Sequence, residues 1–311
     1  MGLVFSYLPV LALLLLVLAA ALWALRTPRV APGRSPSLAY TAATRHAGRG
    51  LRLAWAALIA VPTIAPAIAF LFPLTGAVRR ASVPGPVLAS LAMLGGIAFV
   101  GVLASSELSW PRPEGAIRRA PLVRRRWIDV TPRGWLLTTT GILGALTLTL
   151  ALGGVAAGWR SILHYGHARL ARESSPFPGW TYGVPLLAIA VLLAAGTVAT
   201  LSMTARRPPV SETAPDDDEA LRRSSARRLL AGVQFAYGLT LAGTLFFTAG
   251  AIARVEPRWA DVAGPGSSRV LGNTGMLVAL AIPLVVGAIA IVATREPRPR
   301  RLRATTTAVT A

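Results

Sequence analysis

Histidine and carboxylate groups at helical spacing are the first places where this chain could do chemistry. His164 and His167 stand three residues apart with Glu173 nearby, and such a pair on one face of an interfacial helix could touch a metal ion. No fixed third ligand accompanies them. The remaining histidine, His46, falls on the other side of the membrane in the topology derived below, so these residues read as ordinary surface groups. Asp216, Asp217, Asp218 and Glu219 could hold a divalent cation or a basic partner. They precede Leu221 to Arg228, however, as acids precede bases at a helix start, and Asp218 with Arg222 and Glu219 with Arg223 stand at i, i+4. Local electrostatics accounts for them without a metal.

Catalysis would have to rest on Glu107, Glu114 or Asp129, which lie near the ends of apolar runs. No phosphate-binding glycine loop, His-Glu-x-x-His pair or nucleophile elbow accompanies them. The chain has no cysteine, which excludes disulfides, thiolate nucleophiles and cysteine metal sites. No catalytic residue, cofactor or metal is expected.

Two further groups of residues stand out. The densest basic stretch, Arg118, Arg119, Arg124, Arg125 and Arg126 with Trp127, Ile128 and Val130 interleaved, suits the anionic lipids of an inner leaflet, each charge contributing about 1 kcal/mol near such a surface. Gln234 and Asn273 are amides inside otherwise apolar runs, where an amide seeks a partner. They fall near opposite ends of their runs and are not expected to meet. Threonines in the same runs (Thr139, Thr197, Thr200, Thr240) read as groups that bond their own backbone or a neighbouring helix.

The elements that must carry these residues follow from composition. Hydrophobic residues make up 54% of the 311 and charged residues 14%, and the mean hydropathy is +0.58, so the bilayer is the expected solvent. The net charge of +20 then reflects retention of basic loops on the cytoplasmic side rather than nucleic-acid binding. Seven runs lack any Asp, Glu, Lys, Arg or His: 4–25, 53–74, 87–104, 135–157, 183–203, 229–253 and 270–293. Each matches a hydrocarbon layer of about 30 Å, and their apolar residues are continuous rather than alternating, which favours helices over barrel strands. The fold class expected is an all-α integral membrane protein of seven transmembrane helices. It comprises one polytopic domain: an N-terminal anchor, three helical hairpins and a basic cytoplasmic tail over 294–311.

Orientation follows from arginine. The loops 26–52, 105–134, 204–228 and 294–311 hold 24 arginines, and the alternate loops 75–86, 158–182 and 254–269 hold 8. Basic residues in short loops stay cytoplasmic, so the N-terminus lies outside and the C-terminus inside. Met1 to Tyr7 has no positive charge, and the first run reads as an uncleaved anchor rather than a cleaved signal peptide. Each hairpin leaves the membrane through an Arg-Pro phrase, at Trp110–Pro113, Arg206–Pro209 and Glu296–Pro299. Proline stopping helices and arginine marking cytoplasmic ends explain the phrase without an ancestral repeat. Pro62, Pro66 and Pro283 lie inside runs, and Gly154 with Gly158 offers close helix approach.

No carboxylate, arginine, lysine or histidine lies within any run, although proton relays and ion-coupled carriers place such groups there. The function expected is therefore that of an uncharacterised, non-enzymatic multi-pass protein of the cell membrane, a structural or accessory component. The bilayer, anionic inner-leaflet lipids and an unidentified membrane protein are its expected partners. The alternatives are a transporter or channel for a neutral solute and an enzyme acting on a lipid-linked substrate at the inner interface.

Overall fold

The computed structural model describes residues 38–71, 85–110, 126–159, 163–165, 172–174, 177–210, 213, 215–254 and 267–294. The run 4–25, Arg118, Arg119, Arg124 and Arg125 of the basic loop, Glu114, His167 and the tail after Thr294 lie outside the described residues. Seven helices occur among those described: α1 (Leu38–Leu71), α2 (Gly85–Leu108), α3 (Trp127–Val130), α4 (Arg133–Ala157), α5 (Trp180–Arg206), α6 (Pro215–Arg254) and α7 (Ser267–Thr294). Five of them, α2, α4, α5, α6 and α7, are long and apolar enough to cross a membrane.

Helices outrun the apolar runs that predict them. The 40-residue α6 begins at Pro215, well before the run that starts at Leu229, because nothing in the charged stretch 216–228 stops a helix: acids occupy its positive end and i, i+4 pairs follow. In the same way α1 begins at Leu38 and carries Arg45, Arg49 and Arg52 on its first half.

Contacts fix the alternation of direction. His46 of α1 meets Ser106 of α2, and Leu58 meets Gly95, so these helices are antiparallel. Thr204 of α5 meets Arg222 of α6 while Ala190 meets Tyr237, and Gly238 of α6 meets Val286 of α7 while Ala253 meets Gly272, two more antiparallel pairs. Trp135 of α4 lies beside Gln234 of α6, both at the end shared by His46, Ser106 and Thr204. We call this the basic end. Each of the three hairpins packs on itself, α1 with α2, α4 with α5 and α6 with α7, and α6 also contacts α1, α2, α4 and α5. Accordingly α6 is the central helix, its side chains from Leu229 to Gly238 all buried. Trp55, Phe99 and Phe235 interlock edge to face around it, with ring centroids 5.4 Å and 5.8 Å from Trp55, a geometry that suits the aromatic quadrupole.

Pro62 shapes the α1–α2 contact. A proline has no amide hydrogen, so the carbonyl four residues back, that of Leu58, loses its helical donor. That oxygen faces Gly95 so closely that a β-carbon there would sit 2.6 Å from it; only glycine permits the approach. Gly95→Val should therefore push α1 off α2 and cost about 2 kcal/mol or more as overpacking against backbone, read as a lower thermal midpoint in detergent.

Two expectations need correction. His164 lies on a strand rather than an interfacial helix: β1 (Leu163–Tyr165) pairs antiparallel with β2 (Arg172–Ser174), with His164 opposite Glu173. Gly158, at φ +60°, ends α4 in a conformation that glycine adopts without a Cβ clash. Nor is Gly158 a packing residue, since a β-carbon there would meet open space. Its neighbour Gly154 is one, with the ring of Trp180 against it at 2.5 Å from such a carbon.

Candidate functional site at the basic end

Glu107, Arg207, Asp218, Arg222 and Arg228 come together where α2, α5 and α6 meet at the basic end. The arrangement starts from two prolines. Pro208 and Pro209 follow α5 and cannot donate to the carbonyls four residues before them, those of Thr204 and Ala205. Arg222, projecting from α6, replaces both missing donors: its Nη1 donates to Thr204 O at 3.0 Å and Ala205 O at 2.9 Å. Its Nη2 donates to Arg207 O at 2.8 Å, and its Nε donates to Asp218 Oδ2 at 2.8 Å. Arg222 is 2% exposed and Asp218 4%. The i, i+4 pair expected from spacing is thus present, but it is a buried clasp between helices rather than a solvated ion pair. Its neighbour Glu219–Arg223 is the exposed one.

Beside the clasp, Arg207 reaches across to α2. Its Nη1 lies 3.5 Å from Glu107 Oε1, and its guanidinium stacks 4.0 Å from the Trp110 ring. Both side chains of the ion pair are withdrawn from solvent, Arg207 to 1% and Glu107 to 10% exposure. Burial pushes the Arg207 guanidinium below its ordinary value, and the facing Glu107 carboxylate partly counters the shift. Arginine stays charged under such a shift, so the carboxylate opposite it is needed. His46 continues the chain of contacts: its ring meets Trp110 edge-on at 5.6 Å, and Nε2 lies 2.9 Å from the Ser106 carbonyl, to which only a protonated Nε2 can donate.

A cavity of about 30 Å³ opens among these groups, with Ser106 and Glu107 on one wall, Thr200 and Thr204 on another, and Ser225 and Arg228 on a third. It has room for a water or a comparably small polar group.

The other sequence-derived candidates are placed elsewhere. Gln234 donates from Nε2 to Trp135 O and to Thr139 Oγ1, each at 2.9 Å, and so joins α6 to α4. Asn273 lies on the exposed side of α7, far from Gln234 as expected. The threonines bond their own helices: Thr139 to Trp135 O, Thr197 to Leu193 O and Thr240 to Ala236 O. Gln234→Leu should cost about 1 kcal/mol, the net value of such hydrogen bonds, visible as a small fall in thermal midpoint. Of the basic loop, Arg126 is described and exposed; its backbone N–H donates to Asp129 Oδ2 at 2.8 Å. Asp129 is therefore engaged as a helix cap rather than free for catalysis.

Arg207, Trp110 and His46 were not singled out in sequence as a group. Two signals existed. Consecutive prolines after a helix announce two carbonyls in need of a donor, and an arginine on the next helix is an obvious supplier. Glu107 and Arg207 are 100 positions apart, and nothing local links them.

The fold is a helical bundle with five helices long and apolar enough to cross a membrane, tied at one end by buried ion pairs. No known protein family matches the chain, and no curated protein or solved structure matches it.

Proposed function

We propose that this chain is a seven-span protein of the cell membrane, N-terminus outside and C-terminus in the cytoplasm, that acts as a structural or accessory component rather than as an enzyme. The observation that carries the reading is the consumption of buried charge in fixing helices to one another. Arg222 holds the end of α5 to α6, and Arg207 holds the same end to Glu107 of α2. Helix ends tied in this way form a stable platform on the side where the arginines concentrate, which supports a cytoplasmic location for that side. The basic loop, including Arg118, Arg119, Arg124, Arg125 and Arg126, would rest on anionic inner-leaflet lipid.

Gln234 serves as a link between α4 and α6, which favours the structural reading over a neutral-solute carrier. Reconstitution tests the choice. Liposomes holding the purified protein should pass neutral solutes no faster than empty ones and should leave their phospholipids unchanged. Solute flux that vanished in Gln234→Leu and Asn273→Leu would replace the reading with a carrier. Lipid turnover that vanished in Glu107→Gln would replace it with an enzyme.

A further inference from the structure

We propose that the outward face of α1 binds, through Arg45, Arg49 and Arg52, the head of a phospholipid that carries two phosphodiesters on one molecule. The three arginines are exposed and stand at i, i+4 and i+7, which puts them in a stripe about 60° wide along about 10 Å of helix axis. None of them forms an ion pair or hydrogen bond among the described residues. The helix has no counter-charge of its own to offer, since α1 contains no Asp or Glu at any position. On α6 the pattern is the opposite: Arg222 and Arg223 each face an acid four residues earlier. The stripe is also held in place from behind. Ala43 packs with Trp110 and Leu221, and Leu51, Ala54, Trp55 and Leu58 are buried in the main core, so the arginines point away from the bundle.

Polarity along the helix selects the class of partner. Past Arg52 the outward side turns apolar, with Leu53, Ala56 and Ile64 exposed. Guanidinium groups followed by apolar side chains match a phospholipid, whose phosphate lies above its acyl chains. A nucleic acid or an acidic peptide would cover the arginines and leave Leu53 and Ile64 bare. The number of arginines then selects the head. One phosphodiester carries one negative charge and suits one guanidinium fork, so three forks exceed what a single phosphate neutralises. Two phosphates tied in one molecule answer two of them, because binding the first raises the effective concentration of the second. Long arginine stems let forks at different heights reach one head. The inference deepens the lipid-contact reading of the basic end and rests on α1 crossing the membrane.

Native mass spectrometry of the full-length protein tests it, using detergent micelles doped with cardiolipin or with phosphatidylglycerol at equal phosphate content. Both lipids carry the same phosphodiester, and only cardiolipin joins two of them. Cardiolipin should be retained about fivefold better, the effect of one further charge contact. Changing Arg45, Arg49 and Arg52 together to Gln should bring its retention down to that of phosphatidylglycerol. The same change at Arg126, Arg133 and Arg206, which are also exposed at the basic end, should leave the preference intact. Both variants should keep the wild-type thermal midpoint in lipid-free detergent, so that a lost preference reports binding. Equal retention of the two lipids by the wild type, or a preference lost equally in the two variants, would overturn the proposal. Displacement of bound cardiolipin by an oligonucleotide would transfer the stripe to nucleic acid and overturn it as well. Reporter fusions after Arg34 and Thr75 on the same side would overturn the placement of α1 and the proposal with it, whereas fusions on opposite sides with equal lipid retention would overturn the proposal alone.

Discussion

Arg222→Ala should destabilise the folded protein by about 3–5 kcal/mol, the cost of removing one partner from a buried ionic arrangement. The size follows from what the side chain does. It supplies Nη donors to three carbonyls at the end of α5 and Nε to Asp218, and the backbone cannot take over at Thr204 and Ala205, because Pro208 and Pro209 have no amide hydrogen. Asp218 would keep its burial and lose this guanidinium. Arg222→Lys keeps the charge but not the planar fork, and one ammonium cannot reach the four acceptors together. It should recover less than half of the loss. Thermal unfolding in detergent, with helix content followed by circular dichroism, gives both numbers. A midpoint unchanged in Arg222→Ala would mean that α5 and α6 are held by packing alone.

The second large effect belongs to Glu107 and Arg207. Arg207→Met leaves the Glu107 carboxylate buried without its counter-charge, and Glu107→Leu leaves a guanidinium supported by the face of Trp110 and the field of Asp218 alone among the described groups. Each should cost about 3 kcal/mol. The double variant should be more stable than either single one, since an apolar pair has no charge to desolvate, and the cycle should give a coupling of about 2 kcal/mol. Additive losses would show that the two side chains do not depend on each other.

The apolar runs were legible because a lipid-facing helix needs uninterrupted apolar residues, and ionisable groups mark where that demand stops. The five helices long and apolar enough to cross all overlap such runs. The start of α6 at Pro215 was legible from the acids ahead of Leu221, whereas that of α1 at Leu38 was not, because helices end at caps and prolines and charge ends only the apolar stretch. The self-bonding of the threonines and the separation of Gln234 from Asn273 were readable from local chemistry and spacing. The burial of Asp218 and Arg222 was not, since i, i+4 spacing looks the same on a wet face and in an interface. The pairing of Glu107 with Arg207 depends on how α2 meets α5, which no local pattern encodes. The β1–β2 ladder was missed because His164 and His167 were considered at helical spacing, whereas His164 pairs across the ladder with Glu173.

Reporter fusions placed after Arg34, Thr75, Pro121, Arg169, Thr213, Pro265 and Thr307 test the proposed membrane placement most directly. Cytoplasmic signal at Arg34, Pro121, Thr213 and Thr307, with external signal at Thr75, Arg169 and Pro265, is the pattern that seven spans and an inward basic end require. External signal at Thr213 and Thr307, or two neighbouring fusions on the same side, would contradict it and take the clasped platform out of the cytoplasm.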